Sequence, residues 1–208
     1  SNVVLNVPME PTSFQLDEVV VSGGTYSTQH ENTIKIDCIN NKDITSTGSP
    51  SFIKSLTQIP GVDMIAKGNG VVQPVIRGLS MTNILMLNNG VKLENFQFSE
   101  NHPYLIDEFG VDRVEVIKGP ASLLYGSDAV GGIINVIKEK PAIDGKIEGD
   151  YNAQYHSNTE GLVTNLGIKS RSGDFFYGLR AGIRGHQDYK DGNMDRVPNT
   201  RYNENSFK

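Results

Sequence analysis

The alternation of apolar and polar residues near the end of the chain is the feature that most constrains its fold. In residues 147–155, 162–168 and 175–184, apolar or small side chains tend to occupy every second position, with polar or charged ones between them. A period of two residues puts successive side chains on opposite faces of an extended strand. The pattern therefore predicts three strands of about ten residues, each with one apolar and one polar face.

Two architectures fit such strands. An antiparallel meander packs its apolar face on a core and leaves its polar face in water. A transmembrane β-barrel reverses this, with strands of about 9 to 11 residues that are apolar outside and polar inside. Arg180 and Arg184 lie on the polar face, as a wet lumen would allow, and this favours the barrel. Three strands cannot close a barrel, so we expect the sequence to be a fragment of a longer protein.

Residues 45–140 follow a different pattern, typical of a compact mixed unit. A helix is expected in "PSFIKSL", with Ser49 as its candidate cap and with its end before Pro60. Asn89 and Gly90 lie between apolar runs and predict a tight hairpin, because both residue types tolerate positive φ. Further short strands are expected in "PVIRG", "DRVEVIKG" and "GGIINVIKE".

The composition argues against several classes of function. The formal net charge is −5, and the basic residues are scattered, whereas binding to a phosphate backbone needs many of them on one face. Nucleic acid is therefore not an expected partner. Cys38 is the only cysteine, so no internal disulfide can form. Neither a run of about 18 apolar residues nor a signal peptide is visible, so we expect a cytosolic protein or one whose signal has been removed.

Enzyme motifs are incomplete in this sequence. "GNGVVQ" has Gln73 where a dinucleotide loop needs its third glycine, and "KGPASLLYGSDAVGG" lacks the Lys-Ser/Thr pair of a phosphate-binding loop. "GLSMT" ends in Thr82, so it is not a nucleophile elbow. The histidines are far apart, and no two share ligand spacing on a helix. We expect neither an enzyme nor a cofactor.

Five motifs, in this order and spacing, resemble the plug domain of TonB-dependent outer-membrane receptors: "LDEVVVSG", "SLTQIPGV", "VIRGLS", "ILMLNNGVKL" and "VDRVEVIKGPASLLYGSDAVGGIINVI". The resemblance covers about residues 16–140 and is densest over 111–137. It implies an α+β fold. A compact plug domain with a small mixed sheet, short helices and long loops is followed by about three amphipathic antiparallel strands of an incomplete transmembrane β-barrel, which in this family has 22 strands.

The resemblance also divides the chain. Residues 1–15 are expected to be the tail of a preceding β-sandwich domain or a linker, and residues 16–24 a segment like the TonB box. Residues 25–142 form the plug, and residues 143–208 the first strands of the barrel.

The TonB-box-like segment implies a binding site for the C-terminal domain of the periplasmic protein TonB. Its expected residues are Asp17, Glu18, Val19, Val20 and Val21. Capture would proceed by strand addition, in which main-chain hydrogen bonds hold an exposed, extended segment. The alternative is an N-terminal strand that pairs with the plug's own sheet.

Three charged residues resemble the family's ion-pair lock between plug and barrel. Arg77, Glu115 and Lys118 would pair with acidic residues of the barrel wall, which lie outside this sequence. The alternative is ordinary strand charges exposed to solvent, each worth less than about 1 kcal/mol.

The family layout implies that two plug loops face the substrate. Their candidate contact residues are Lys67, Asn69, Phe96, Phe98, Glu100 and His102. No metal site is firm, but Glu100, His102 and Asp107 offer oxygen and imidazole groups for a divalent metal. The alternative is a polar loop with one isolated histidine.

The sequence therefore predicts an outer-membrane active-transport receptor with a periplasmic N-terminus. Its plug would gate the energy-coupled uptake of a metal chelate, with an iron-siderophore or haem favoured over zinc, copper or cobalamin. The alternative is a secreted β-rich adhesion or glycan-binding module. Because the apolar face of residues 141–208 would be exposed in isolation, we also expect the fragment to associate.

Overall fold

The computed structural model describes residues 19–22, 25–28, 35–93, 99, 101–102, 106–119, 122, 125–126 and 129–208. The helices in this part of the chain are α1 (Asn41–Ser46), α2 (Phe52–Leu56) and a 3₁₀ turn (Met81–Asn83). The strands are β1 (Val19–Ser22), β2 (Thr25–Thr28), β3 (Ile36–Asn40), β4 (Val62–Ala66), β5 (Val72–Ile76), β6 (Leu79–Ser80), β7 (Ile84–Asn88), β8 (Val91–Lys92), β9 (Val111–Ile117), β10 (Gly132–Lys138), β11 (Ile147–His156), β12 (Gly161–Ser172), β13 (Phe175–His186) and β14 (Tyr202–Phe207).

A five-stranded mixed sheet forms the centre of the first half, with strand order β3-β9-β10-β7-β8. β10 and β7 are parallel, and the other pairs are antiparallel. The strands β7 and β10 have buried apolar side chains at successive positions, because both faces of the sheet are buried. Val114 and Ile134 pack on the side of α2, whereas Leu85 and Ile133 belong to a second core cluster. The expected compact α+β domain with short helices is confirmed.

Most of the local structure that the sequence predicts for this domain is present. The predicted hairpin is present, with Asn89 at φ 52° and Gly90 at φ 79° between β7 and β8. The predicted helix is α2, but Ser49 is not its cap, because the helix begins after Ser51. Instead, the Ser49 hydroxyl donates a hydrogen bond to Ser51 O. Among the described residues, no helix has the length and apolar character needed to cross a membrane.

The four strands β11 to β14 form an antiparallel meander in sequence order. Its burial is the reverse of that of an ordinary sheet. Tyr151 and Leu166 are 68% and 61% exposed, whereas Asn165 and Arg184 on the other face are 1% and 8% exposed. The three predicted strands are confirmed, and the sequence pattern missed β14, which pairs with β13 from Tyr202 onward.

The strand β1 belongs to neither large sheet. It pairs antiparallel with β2, from Val19 opposite Thr28 to Ser22 opposite Thr25, in a two-stranded sheet of its own. The segment that contains the valines of "LDEVVVSGG" is therefore extended, as predicted, and its partner is the next strand of the chain.

Candidate functional site

The polar face of the four-stranded sheet lies against the mixed-sheet domain, which is expected to be a plug and is called the plug below. Large basic side chains of the sheet make the contact. The two-residue period places Arg180 and Arg184 on this face of β13. Gly167 lies opposite Arg180 in the neighbouring strand, where a Cβ atom would come within 2.5 Å of the guanidinium carbon. Glycine at this position lets Arg180 lie flat on the sheet and leaves room for the plug.

Arg184 forms a buried ion pair with Glu108 of the plug. Its Nη2 lies 2.8 Å and 2.7 Å from the two carboxylate oxygens of Glu108. The two side chains are 9% and 7% exposed. A second carboxylate, that of Glu204 on β14, is 3.7 Å from Arg184 Nη1. Buried pairs of this kind are costly to break, because removal of one partner leaves the other charged and desolvated.

A second ion pair holds the residue before Glu108. Lys208 Nζ lies 2.6 Å from Asp107 Oδ1 and donates a 2.9 Å hydrogen bond to Phe109 O. Asp107 Oδ1 also accepts the backbone N–H of Phe109 at 3.0 Å. The plug segment 107–110 leads into β9. Arg184 of β13 and Lys208, which follows β14, hold this segment in place.

Arg180 makes the third set of ionic contacts at this interface. It meets both carboxylate oxygens of Asp150 at 2.7 Å and 2.6 Å, and Glu139 Oε1 at 2.7 Å. Lys169 contacts the other oxygen of Glu139 at 2.9 Å. Burial alone raises the pKa of Glu139, but the hydrogen bonds and charges of Lys169 and Arg180 outweigh it and lower the pKa below its ordinary value. Glu139 is therefore ionised at neutral pH and joins the plug to the sheet.

The interface therefore pairs plug acids with sheet bases. Sequence reasoning placed acidic partners on the wall and missed this arrangement. The acidic start of "DEFG", together with two arginines four positions apart in β13, was the available signal. No spacing rule connects Glu108 with Arg184, which are 76 residues apart.

The residues of the predicted lock lie elsewhere in the plug. Glu115 is fully buried and bonded to Arg113, with 2.8 Å between the guanidinium and the carboxylate, and to Asn135 at 3.2 Å. Lys118 contacts Asp37, as described below. Arg77 is exposed and has φ 51°. Their pairing with barrel residues outside this sequence stays a prediction.

The two predicted substrate loops do meet in the structure. Lys67 Nζ donates to Asn101 Oδ1 at 2.9 Å, and the buried amide of Gln73 donates to His102 O at 2.6 Å. Asn69 borders a small cavity at the plug–sheet contact. Phe96, Phe98 and Glu100 lie outside the described residues, so the substrate role of these loops stays a prediction.

The sheet also contacts one of these loops. Tyr202 packs so closely on Gly70 that a Cβ atom there would lie 2.8 Å from the ring. The Tyr202 hydroxyl donates to Pro50 O at 3.1 Å, and its ring stacks on His186 at 4.9 Å between centroids. His156 lies 5.0 Å beyond, so two histidines that are distant in sequence come together on the inner face.

The remaining candidate residues are only partly visible. Val19, Val20 and Val21 lie in β1, and Asp17 and Glu18 lie outside the described residues. Asp107, a possible metal ligand, contacts Lys208 and the Phe109 backbone instead. Within the described ranges, no group of three or more histidine, cysteine or acidic side chains could hold a metal ion.

A small mixed sheet held against the charged face of an inside-out antiparallel sheet defines a plug-type domain with strands of a surrounding wall. Residues 28–133 match the family described as the TonB-dependent Receptor Plug Domain. The chain belongs to this family.

Several known proteins are similar to this chain. Over 123 residues it is 30% identical to "Vitamin B12 transporter BtuB" of Photobacterium profundum, covering 58% of this chain and 20% of that protein. The solved structure of "Copper transporter OprC" has a TM-score of 0.65 at 24% identity, over 81% of this chain and 26% of that one. The pyoverdine outer membrane receptor FpvA from Pseudomonas aeruginosa PAO1, bound to pyoverdine, has a TM-score of 0.65 at 19% identity, over 80% and 24%. The chain thus spans about a fifth of the length of the curated relative.

Proposed function

We propose that the chain is the plug and first wall strands of an outer-membrane receptor that takes up a metal chelate by energy-coupled transport. The observation that carries this proposal is the inverted sheet. Its exposed face is apolar and suits lipid, and its buried face holds the plug through Arg180, Arg184 and Lys208. A secreted adhesion module would present that apolar face to water, so the inversion argues against it.

In this proposal the segment 16–24 is the handle for TonB, and the N-terminus is periplasmic. Strand addition requires a backbone that can be extended, and β1 is extended. The partner strand β2 occupies one edge of β1, so capture would either use the other edge or displace β2. The handle and the plug sheet are connected through the residues that precede β3.

The proposed cargo is a metal chelate, with an iron-siderophore or haem ahead of zinc, copper or cobalamin. The motif "GGIINVIKEKP" resembles the metal-chelate and vitamin branch of the family, which supports this class. The similar proteins are named as a vitamin B12 transporter, a copper transporter and a pyoverdine receptor, and these names are compatible with this class. These names support the class and leave its members to experiment.

The test is uptake by the full-length receptor in cells that lack their own receptors for these ligands. Labelled ferric siderophores, haem, cobalamin, copper and zinc would each be supplied with and without a protonophore. We expect energy-dependent accumulation of one of them, and its loss when residues 17–21 are deleted. Uptake that survives the protonophore, or no uptake of any of these ligands by a correctly inserted receptor, would contradict the proposal.

A further inference from the structure

Lys118 connects three segments at the point where the chain enters the plug sheet. Its Nζ lies 2.6 Å from Asp37 Oδ2 and donates a 2.5 Å hydrogen bond to Pro60 O. Asp37 is the second residue of β3, Lys118 directly follows β9, and Pro60 lies between α2 and β4. The Lys118 and Asp37 side chains are only 13% and 17% exposed, so solvent screens this pair less than a surface ion pair.

The position of this pair matters because β3 is an edge strand of the five-stranded sheet. β3 pairs antiparallel with β9, from Ile36 opposite Ile117 to Asn40 opposite Arg113. A pull on the residues before β3 reaches Ile36 first. A strand that is pulled from one end separates from that end, so the contact between Asp37 and Lys118 spans the first backbone pairs to open.

The contacts also indicate which elements would detach under tension and which would remain in the plug. Among the described residues, β3 and α1 contribute only Ile36, Ile39 and Ile44 to the buried apolar core, whereas α2, β7, β9 and β10 together contribute more than half of it. When Asp37 departs, Lys118 can keep its hydrogen bond to Pro60 and hold the remaining segments together. A cleft of about 540 Å³ lies between α1 and the inner face of β11, and departure of α1 would widen it.

We propose that Lys118 is a positioning residue that clips β3 to the plug, and that its ion pair with Asp37 sets how readily the β3–α1 segment detaches under tension. The inference rests on the proposed function for the origin of the pull. The clip itself is a property of the plug that can be measured without transport, and Asp37→Asn tests it separately from any contact of Lys118 with wall strands outside this sequence.

The test is hydrogen exchange in the full-length receptor, read at the amides of β3. Lys118→Met and the isosteric Asp37→Asn each remove the pair, and we expect exchange in β3 to become about tenfold faster, because a largely buried ion pair is lost. Exchange in the central strand β10 should stay unchanged. Lys35→Met is the matched control, since Lys35 lies 3.6 Å from the other oxygen of Asp37 and is 85% exposed. It should change exchange in β3 by less than about twofold.

Pulling the receptor through residue 17 in a force experiment gives the second measurement. The β1–β2 pair lies between residue 17 and β3 and opens first. The next rupture, which separates β3 from β9, should occur at lower force in Lys118→Met than in the wild type or in Lys35→Met. The inference is wrong if exchange in β3 is unchanged in Lys118→Met, or if Lys35→Met accelerates it equally. If Lys118→Met loses protection throughout the plug, Asp37→Asn decides the question. A wild-type receptor that takes up no chelate, with the exchange pattern as expected, would overturn the proposed function and leave the clip standing.

Discussion

At the scale of single residues, the contact between Glu108 and Arg184 is the most deeply buried ion pair between plug and sheet. Both side chains are nearly excluded from solvent, and one guanidinium nitrogen reaches both carboxylate oxygens. Such a pair gives little net stability relative to a well-packed apolar pair, because both charges are desolvated. Removal of either charge would leave the other unpaired and desolvated, so we expect the pair to contribute more to the position of the plug against the sheet than to net stability.

The cost of leaving one of the two charges unpaired gives a prediction for Glu108→Gln. The substitution keeps the shape but leaves Arg184 charged and poorly compensated, so we expect a loss of about 3 kcal/mol in the free energy that holds segment 107–117 in place. Glu204→Gln is the control, because its carboxylate is 3.7 Å from Arg184 and 25% exposed, and it should cost less than about 1 kcal/mol. Hydrogen exchange of the full-length receptor along a denaturant series measures both.

The double variant Glu108→Gln with Arg184→Met sharpens the test. With both charges gone, neither is left unpaired, and part of the lost stability should return. Additive losses from the two substitutions would show that the side chains act independently, which is contrary to the prediction.

Gly110 shows a second residue-level constraint, since it combines two demands on one position. It has φ +68°, and a Cβ atom would lie 2.8 Å from Arg180 Nε. We expect Gly110→Ala to cost about 1 to 2 kcal/mol from the left-handed backbone and more from the displaced guanidinium. Gly90→Ala is the matched control, with φ +79° and nothing within 4 Å, so it has the backbone cost alone. Equal losses of thermal stability in the two variants would show that Arg180 simply moves aside.

At the scale of elements, local patterns predicted what depends on neighbours in sequence. Asn89 and Gly90 fix their hairpin within four residues, and the alternation in β11 to β13 fixes which face each side chain occupies. The sequence pattern did not predict β14, because in "YNENSF" Phe207 is the only large apolar residue on the outward face. The pairing of Glu108 with Arg184 escaped for another reason: only the packing of two sheets brings them together.

The strand β1 makes a prediction about how the handle binds TonB. Strand addition uses backbone N–H and C=O groups, and Val20→Pro removes one N–H donor and fixes φ. We therefore expect Val20→Pro to weaken binding of the TonB C-terminal domain by about tenfold or more. Val20→Thr keeps the backbone donor and the β-branched shape, and we expect a change of less than about threefold. Calorimetry or surface binding with the full-length receptor would measure both. Strong loss in the threonine variant would point to side-chain recognition and not to strand addition.

At the scale of the whole molecule, the two halves solve the burial problem in opposite ways. The plug buries apolar side chains on both faces of its mixed sheet, whereas the four-stranded sheet buries its charges against the plug and turns its apolar face outward. At their contact, acidic side chains of the plug pair with basic side chains of the sheet, so each half neutralises buried charges of the other. The outward apolar side chains are Ile147, Tyr151, Tyr155, Leu162, Leu166, Ile168, Phe175, Tyr177, Leu179, Ile183 and Phe207.

That outward face predicts the behaviour of residues 1–208 as an isolated chain. Each large apolar side chain removed from water contributes about 1.5 to 3 kcal/mol, so covering even a few of them favours association over a solvated monomer. We expect oligomers in sedimentation velocity runs in buffer, and their dissociation in detergent micelles that cover the same face. A variant with Leu166→Lys and Ile183→Lys should shift the population towards monomer, because it places charges at the centre of the face while leaving the inner contacts of Arg180 and Arg184 intact. A wild-type chain that stays monomeric in buffer at micromolar concentration would mean that the apolar face does not need lipid or another copy, and the assignment of this sheet to a membrane wall would lose its physical basis.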